Sequence, residues 1–93
     1  MNVTITPEAK EELINKKFDE SNYTVIQSVG FGWGGPSLAV MAREKLNEEN
    51  YEIQEVDGFK VAVAKNIADV YSNFNIDYVK RGFFKIFEVN YNI

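Results

Sequence analysis

The sequence has no cysteine and no histidine among its 93 residues. Without these residue types it can form no disulfide, no cysteine-ligated metal cluster and none of the common zinc sites. Imidazole, the side chain best suited to proton transfer near neutral pH, is missing as well. Carboxylates and lysine amines remain as reactive groups or as ligands for a magnesium or calcium ion. We therefore expect no enzymatic activity and no bound metal or other cofactor.

The sequence also lacks long apolar runs and an excess of positive charge. No run approaches the roughly 20 residues of a membrane span, and residues 1–5 have neither the basic region nor the apolar stretch of a signal peptide. Ten lysines and arginines face 14 acidic residues, for a net charge of -4, so no positive surface is expected for a phosphate backbone. We expect a cytoplasmic protein whose partners include neither nucleic acid nor a membrane.

Length and composition predict one folded domain over residues 1–93. Hydrophobic residues make up 45% of the chain and aromatic residues 14%, which is enough for an apolar core. Chains divide into separate cores only at greater length than this.

Local patterns predict a mainly β protein with an N-terminal helix and one short internal helix. Thr6 and Pro7 have the residue types of an N-cap and a first helical position, so a helix should run from here to about Phe18. A second N-cap is predicted at Asn66, with the helix docking Ile67, Val70, Tyr71 and Phe74 on the sheet. Strands are predicted around residues 3–5, 23–29, 37–46, 51–56, 59–64, 76–79 and 83–89. Residues 37–46 also contain residue types that favour a helix, and their alternating apolar positions favour the strand. Asp57 and Gly58 predict a type I′ hairpin turn.

Residues 30–36 contain four of the six glycines and form the most unusual segment of the chain. We expect a positive φ at Gly34 or Gly35, because the chain must turn there ahead of Pro36. Gly30, Gly32 and Gly35 match the spacing of a dinucleotide-binding fingerprint. However, the next strand pair closes through a tight hairpin and not through a crossover helix, which favours a chance match.

Trp33 lies between two glycines, and it has two possible roles. Burial against its own sheet is the simpler interpretation, and presentation to a partner is the alternative. In the second case Phe31 and Leu38 would share an apolar surface with it. The candidate binding segment therefore comprises Gly30, Phe31, Gly32, Trp33, Gly34, Gly35 and Leu38.

Acidic residues are concentrated in the middle of the chain, at Glu48, Glu49, Glu52, Glu55 and Asp57. None of them has the spacing of a calcium loop. A solvated acidic edge is favoured over a metal site.

The order of several short segments resembles the A-type iron–sulfur carrier family, the HesB/IscA-like domain. Residues 5–9 resemble the start of that family's first helix, and residues 57–61 resemble its central hairpin. Residues 76–79, 82–83 and 87–90 are similar to its closing strands. The resemblance covers nearly all 93 residues and implies a compact β-sandwich or barrel with the N-terminal helix packed outside.

In that family three cysteines bind iron or a cluster between subunits, one in a glycine-rich loop and two in a Cys-Gly-Cys tail. The resemblance places Trp33 at the loop position, and the sequence ends at Ile93, where the tail would begin. It therefore implies a divergent member of the family that has lost cluster ligation and acts as a non-catalytic binding or accessory module. The alternatives are an accessory iron–sulfur assembly component working through protein partners, and a small-ligand site or enzyme at the glycine-rich loop. We expect a homo-oligomer or protein partner to use the Trp33 loop.

Overall fold

The computed structural model describes residues 1–18 and 23–93, which form seven β-strands and two α-helices. The strands are β1 (Asn2–Ile5), β2 (Tyr23–Gly32), β3 (Gly35–Arg43), β4 (Tyr51–Val56), β5 (Phe59–Ala64), β6 (Asn73–Arg81) and β7 (Phe84–Asn92). The helices are α1 (Pro7–Asn15) and α2 (Lys65–Ala68), and a short 3₁₀ helix covers Glu48–Asn50. The mainly β fold class with two short helices is confirmed.

The strands form two sheets that share one core. The first sheet has the order β1-β6-β7, with β1 parallel to β6, and the second has the order β3-β2-β5-β4, with β2 parallel to β5. The remaining neighbours are antiparallel hairpins. At the margins β3 contacts β7 and β1 contacts β4, so the two sheets close on each other at both edges as a barrel-like sandwich does.

The core is built from alternate positions of the strands and from one side of α1. The buried cluster consists of Val3, Ile5, Ala9, Leu13, Ile26, Phe59, Val61, Val63, Ile67, Phe74, Ile76 and Val89. Period-two burial on β1 and β6 fits the strand patterns from which these elements were predicted.

The start of α1 and the central turn follow the sequence prediction. The Thr6 hydroxyl accepts a hydrogen bond from the Ala9 backbone N–H at 3.2 Å, which is the predicted N-cap. Asp57 and Gly58 have φ values of 51° and 89°, so the predicted type I′ geometry is confirmed.

Two helix boundaries differ from the prediction. Helix α1 ends at Asn15, and Phe18 lies beyond it with its ring 5.9 Å from that of Phe87, so a strand of the first sheet holds this side chain. Asn66 is not an N-cap, because β5 runs directly into α2 and places Asn66 inside the first turn. Phe74 lies in β6 and not on this helix. The predicted polar break at residues 19–22 falls outside the described part of the chain.

Within residues 1–18 and 23–93, neither helix has the length and apolar character needed to cross a bilayer.

Candidate functional site

The glycine-rich segment is the end of the β2–β3 hairpin and not an open loop. Strand β2 continues past the predicted end at Val29, and Gly30, Phe31 and Gly32 pair with Ser37, Pro36 and Gly35 in register. Only Trp33 and Gly34 remain as the turn between the two strands. A register shift between Ser28 and Gly30 leaves Val29 as an extra residue on β2. The fingerprint-like glycine spacing thus lies in an antiparallel hairpin, which lacks the strand–helix turn needed for dinucleotide binding.

Gly35 allows the start of β3, directly beside the turn, to pack closely against the first sheet. Its φ is +115°, which confirms the positive φ expected at this point of the chain. A Cβ at this position would lie 2.9 Å from the Tyr91 hydroxyl and 3.2 Å from that of Tyr71. The Tyr91 hydroxyl donates a hydrogen bond of 2.6 Å to the Pro36 carbonyl, and the Tyr71 and Tyr91 rings meet edge to face at 4.5 Å. Strand β7 therefore fixes the start of β3, directly beside the turn.

The two aromatic side chains at the hairpin end are open to solvent. Trp33 has a relative exposure of 108% and Phe31 of 83%. The interpretation that Trp33 packs against its own sheet is wrong, because a two-residue turn leaves its indole beyond the last paired residues. Phe31 is paired with Pro36, which is buried and accepts the Tyr91 hydrogen bond, whereas Phe31 itself is exposed. We call Phe31 and Trp33 together the aromatic tip.

The remaining predicted site residues have different surroundings. Leu38 is half-buried and packs against the core, so it does not share the exposed surface of the aromatic tip. Gly30, Gly32 and Gly34 are exposed and form the backbone that carries the two rings. A Cβ added at Gly34 would meet no atom within 4 Å. The structure therefore brings together Phe31, Trp33 and the glycines beside them.

The acidic residues form no metal site in the described part of the chain, where no three carboxylates are grouped to hold an ion. Glu52 and Glu55 are exposed on β4. Desolvation of Tyr23, followed by the charge of Glu48 and a hydrogen bond to it, raises the pKa of the Tyr23 phenol. Glu48 is therefore engaged with a strand side chain.

A shallow groove of about 170 Å³ lies between α1 and the first sheet. It is lined by Glu8, Glu11, Glu12, Asn15, Tyr78 and Lys85. Glu8 and Glu11 are exposed, and Glu12 makes a loose pair of 3.9 Å with Lys16 on the same helix. Lys85 borders this groove without an ion pair to the α1 carboxylates in the described part of the chain.

Sequence reasoning did not single out a second group of exposed aromatic residues. Phe83 and Phe84 were predicted to begin a strand, but they end the β6–β7 hairpin in solvent. The signal that could have found them is Lys80-Arg81-Gly82, a basic turn directly before two adjacent phenylalanines, since adjacent residues of a strand cannot both face the core.

The sandwich, its strand order and its outer helix define a HesB/IscA-like fold. The chain is similar to the crystal structure of IscA with a [2Fe-2S] cluster, with a TM-score of 0.77 and 17% identity over 96% of this chain and 84% of that chain. It is also similar to Escherichia coli SufA, described as involved in biosynthesis of iron–sulfur clusters, with a TM-score of 0.66 and 20% identity over 96% of this chain and 79% of that chain. The fold predicted from the resemblance is confirmed.

The chain belongs to the CC/Se motif containing family, which it matches over residues 1–92. That description refers to a CC/Se motif, whereas this sequence has no cysteine. A search of curated proteins gives no match.

The donor set of this chain does not fit an iron–sulfur cluster. Clusters are held by thiolates, with imidazole as the usual substitute, and the sequence supplies neither. Trp33, which the resemblance places at the position of a ligand, has an indole N–H that donates a hydrogen bond and has no lone pair for a metal. The similarity to IscA is therefore a similarity of fold.

Proposed function

We propose that this chain is a non-catalytic binding module that holds no cluster and contacts a protein partner through the aromatic tip. The observation that carries the proposal is the full exposure of Trp33 beside Phe31 at the end of a hairpin. Tryptophan is the residue type most enriched among the anchors of protein interfaces, because it combines a large apolar surface with one hydrogen-bond donor.

The anchoring of β3 beside the turn favours this binding role, because it holds the aromatic tip in place. The Tyr91 hydrogen bond to the Pro36 carbonyl and the close approach at Gly35 fix the hairpin to β7. A tip on a fixed hairpin loses less conformational entropy on binding than a tip on a free loop. The two rings therefore offer contact area with only a small loss of conformational entropy on association.

Substitution of Trp33 by alanine tests this role. We expect Trp33→Ala to change the free energy of unfolding by no more than about 0.5 kcal/mol, because the side chain has no packing to lose. Association of the protein with its partner, or with a second copy of itself, should weaken, as measured by sedimentation. A matched control is Phe83→Ala, which removes an equally exposed ring from another hairpin. A large loss of stability in Trp33→Ala with unchanged association would refute the proposal.

Fluorescence gives a second measurement on the unmodified protein. Trp33 is the only tryptophan, so its emission reports the environment of the tip alone. We expect emission typical of a solvated indole in dilute protein, and a shift to shorter wavelength when the partner binds. Emission that stays unchanged while association proceeds would place the contact elsewhere.

An accessory role in iron–sulfur assembly is the second candidate, and the fold shared with IscA and SufA favours it. In this case the partner is a cysteine-containing carrier of the same fold. Titration of such a carrier into this protein should shift the Trp33 emission, and Trp33→Ala should weaken binding measured by calorimetry. A carrier that binds the wild type and the Trp33→Ala variant equally well, or that binds neither, would contradict this candidate.

A further inference from the structure

The end of the β6–β7 hairpin is a second exposed aromatic group, and its chemistry differs from that of the aromatic tip. Phe83 has a relative exposure of 99% and Phe84 of 74%. Residues 80–85, which we call the basic tip, contain three of the ten cationic residues of the chain and none of its 14 acidic residues. Positive charge is thus concentrated at one hairpin end of a chain whose net charge is -4.

The strand register places the cations on both faces of the hairpin, behind Phe83. Lys80 pairs with Lys85 on the face that carries Tyr78 toward the core. Arg81 pairs with Phe84 and lies on the opposite face, because successive side chains alternate along a strand. Phe83 lies in the turn beyond both rows. The ring of Phe83 is therefore at the very end of the hairpin, Phe84 is level with Arg81, and the two lysines follow one residue further back.

The lysines of the basic tip make no ion pair in the described part of the structure. Arg81 binds Glu88 at 2.8 and 3.0 Å, which fixes one cation against β7. Lys80 and Lys85 are exposed and lie opposite each other, although like charges in directly opposed positions repel. Lys85 also borders the groove lined by the carboxylates of α1 and, among the described residues, forms no ion pair with them, so an external anion would still relieve the repulsion between the two lysines.

We propose that the basic tip inserts into the headgroup region of a bilayer that contains anionic lipid. A bilayer offers negative charge at its surface and apolar chains directly below, in the order in which the hairpin presents its cations and rings. A lateral protein contact would engage one face of the hairpin and would leave Phe83, in the turn at its end, in water. The acidic remainder of the chain would be repelled by the same surface, which orients the hairpin end toward it.

This contact is independent of the aromatic tip. Tyr91, which fixes the start of β3 beside the turn, lies seven residues along β7 from Phe84. At about 3.4 Å per residue this separates the two regions by roughly 24 Å. The expectation that no membrane is a partner rested on the lack of a spanning segment, and peripheral binding requires none.

Vesicle binding tests the proposal. The probes are phosphatidylcholine vesicles with and without phosphatidylglycerol, and bound protein is measured by cosedimentation. We expect binding to the anionic vesicles only, and less binding as salt is added. Lys80→Ala with Lys85→Ala should lower the partition coefficient roughly 25-fold, at about fivefold for each lysine near the surface. Phe83→Ser with Phe84→Ser should lower it about tenfold or more, because the rings no longer leave water.

Matched variants separate insertion from other contacts. Phe31→Ser with Trp33→Ser removes the aromatic tip and should leave vesicle binding unchanged. In a Trp33→Phe background, Phe83→Trp places the only indole at the basic tip, and its emission should shift to shorter wavelength with anionic vesicles. All these side chains are exposed, and unfolding curves check that each variant is folded.

Three results would overturn the proposal. One is the absence of binding to anionic vesicles at low salt. Another is binding that survives Phe83→Ser with Phe84→Ser. The third is self-association in sedimentation that these two substitutions abolish, which would make a second copy of the chain the occupant of the basic tip.

Discussion

Gly35 shows how one residue connects the two sheets at the base of the candidate site. We expect Gly35→Ala to lower the free energy of unfolding by about 2 kcal/mol or more, since its positive φ is strained for alanine and its new Cβ would crowd the Tyr91 hydroxyl. Gly34→Ala is the control, because nothing lies within 4 Å of a Cβ there. Urea unfolding measures both variants, and equal losses would contradict the argument.

Removal of the Tyr91 hydroxyl tests whether this atom crowds the new Cβ of Gly35→Ala. Tyr91→Phe removes the hydrogen bond to the Pro36 carbonyl and should itself cost about 1 kcal/mol. It also removes the atom closest to the new Cβ of Gly35→Ala. The glycine substitution should therefore cost less in the Tyr91→Phe protein than in the wild type, with a coupling of at least about 0.5 kcal/mol.

Thr24 carries a buried polar atom without a partner. Its side chain is 1% exposed on β2, and among the described residues its hydroxyl has no hydrogen bond. We expect Thr24→Val to leave stability unchanged or to raise it by up to about 1 kcal/mol, because a methyl group of similar shape needs no partner. Thr24→Ser keeps the hydroxyl and loses a buried methyl, so it should lower stability by about 1 kcal/mol. The reverse order in thermal unfolding would show that the hydroxyl is satisfied.

At the scale of elements, Thr6 joins the N-terminal helix to the first sheet. Its hydroxyl accepts from the Ala9 backbone and donates to the Asp77 carboxylate of β6 at 2.9 Å. Thr6→Ala removes both interactions and should lower the free energy of unfolding by about 1 to 2 kcal/mol. Thr6→Ser keeps the hydroxyl and should stay within about 0.5 kcal/mol of the wild type. Similar losses in the two variants would assign the effect to the methyl group.

The hairpins show which elements local sequence can predict. Asp57 and Gly58 predict their turn because only a few residue types accept two successive positive φ values. The second strand is predicted to end at Val29, but pairing with β3 carries β2 on to Gly32. This extension depends on a partner strand, and a glycine-rich segment has no local preference that announces it.

At the scale of the whole molecule, the absence of cysteine and histidine predicts that this HesB/IscA-like protein binds no iron. Incubation with ferrous iron and sulfide under anaerobic conditions should leave it colourless, with far less than one iron per chain after desalting. Metal analysis and the visible absorption spectrum are the measurements. Iron approaching one equivalent, or a stable thiolate-like charge-transfer band, would contradict the prediction.

The sequence by itself determined the available chemistry, the mainly β architecture and the family resemblance, because residue types, period-two patterns and turn dipeptides are local properties. Only the tertiary structure decided that Trp33 and Phe83 lie in solvent, since exposure depends on how far each hairpin extends beyond the opposite sheet. The tertiary structure also explains why residue 35 is a glycine. The atom that a side chain would meet there belongs to Tyr91, on a strand of the other sheet. Contacts between residues so distant in sequence leave no pattern in either segment alone.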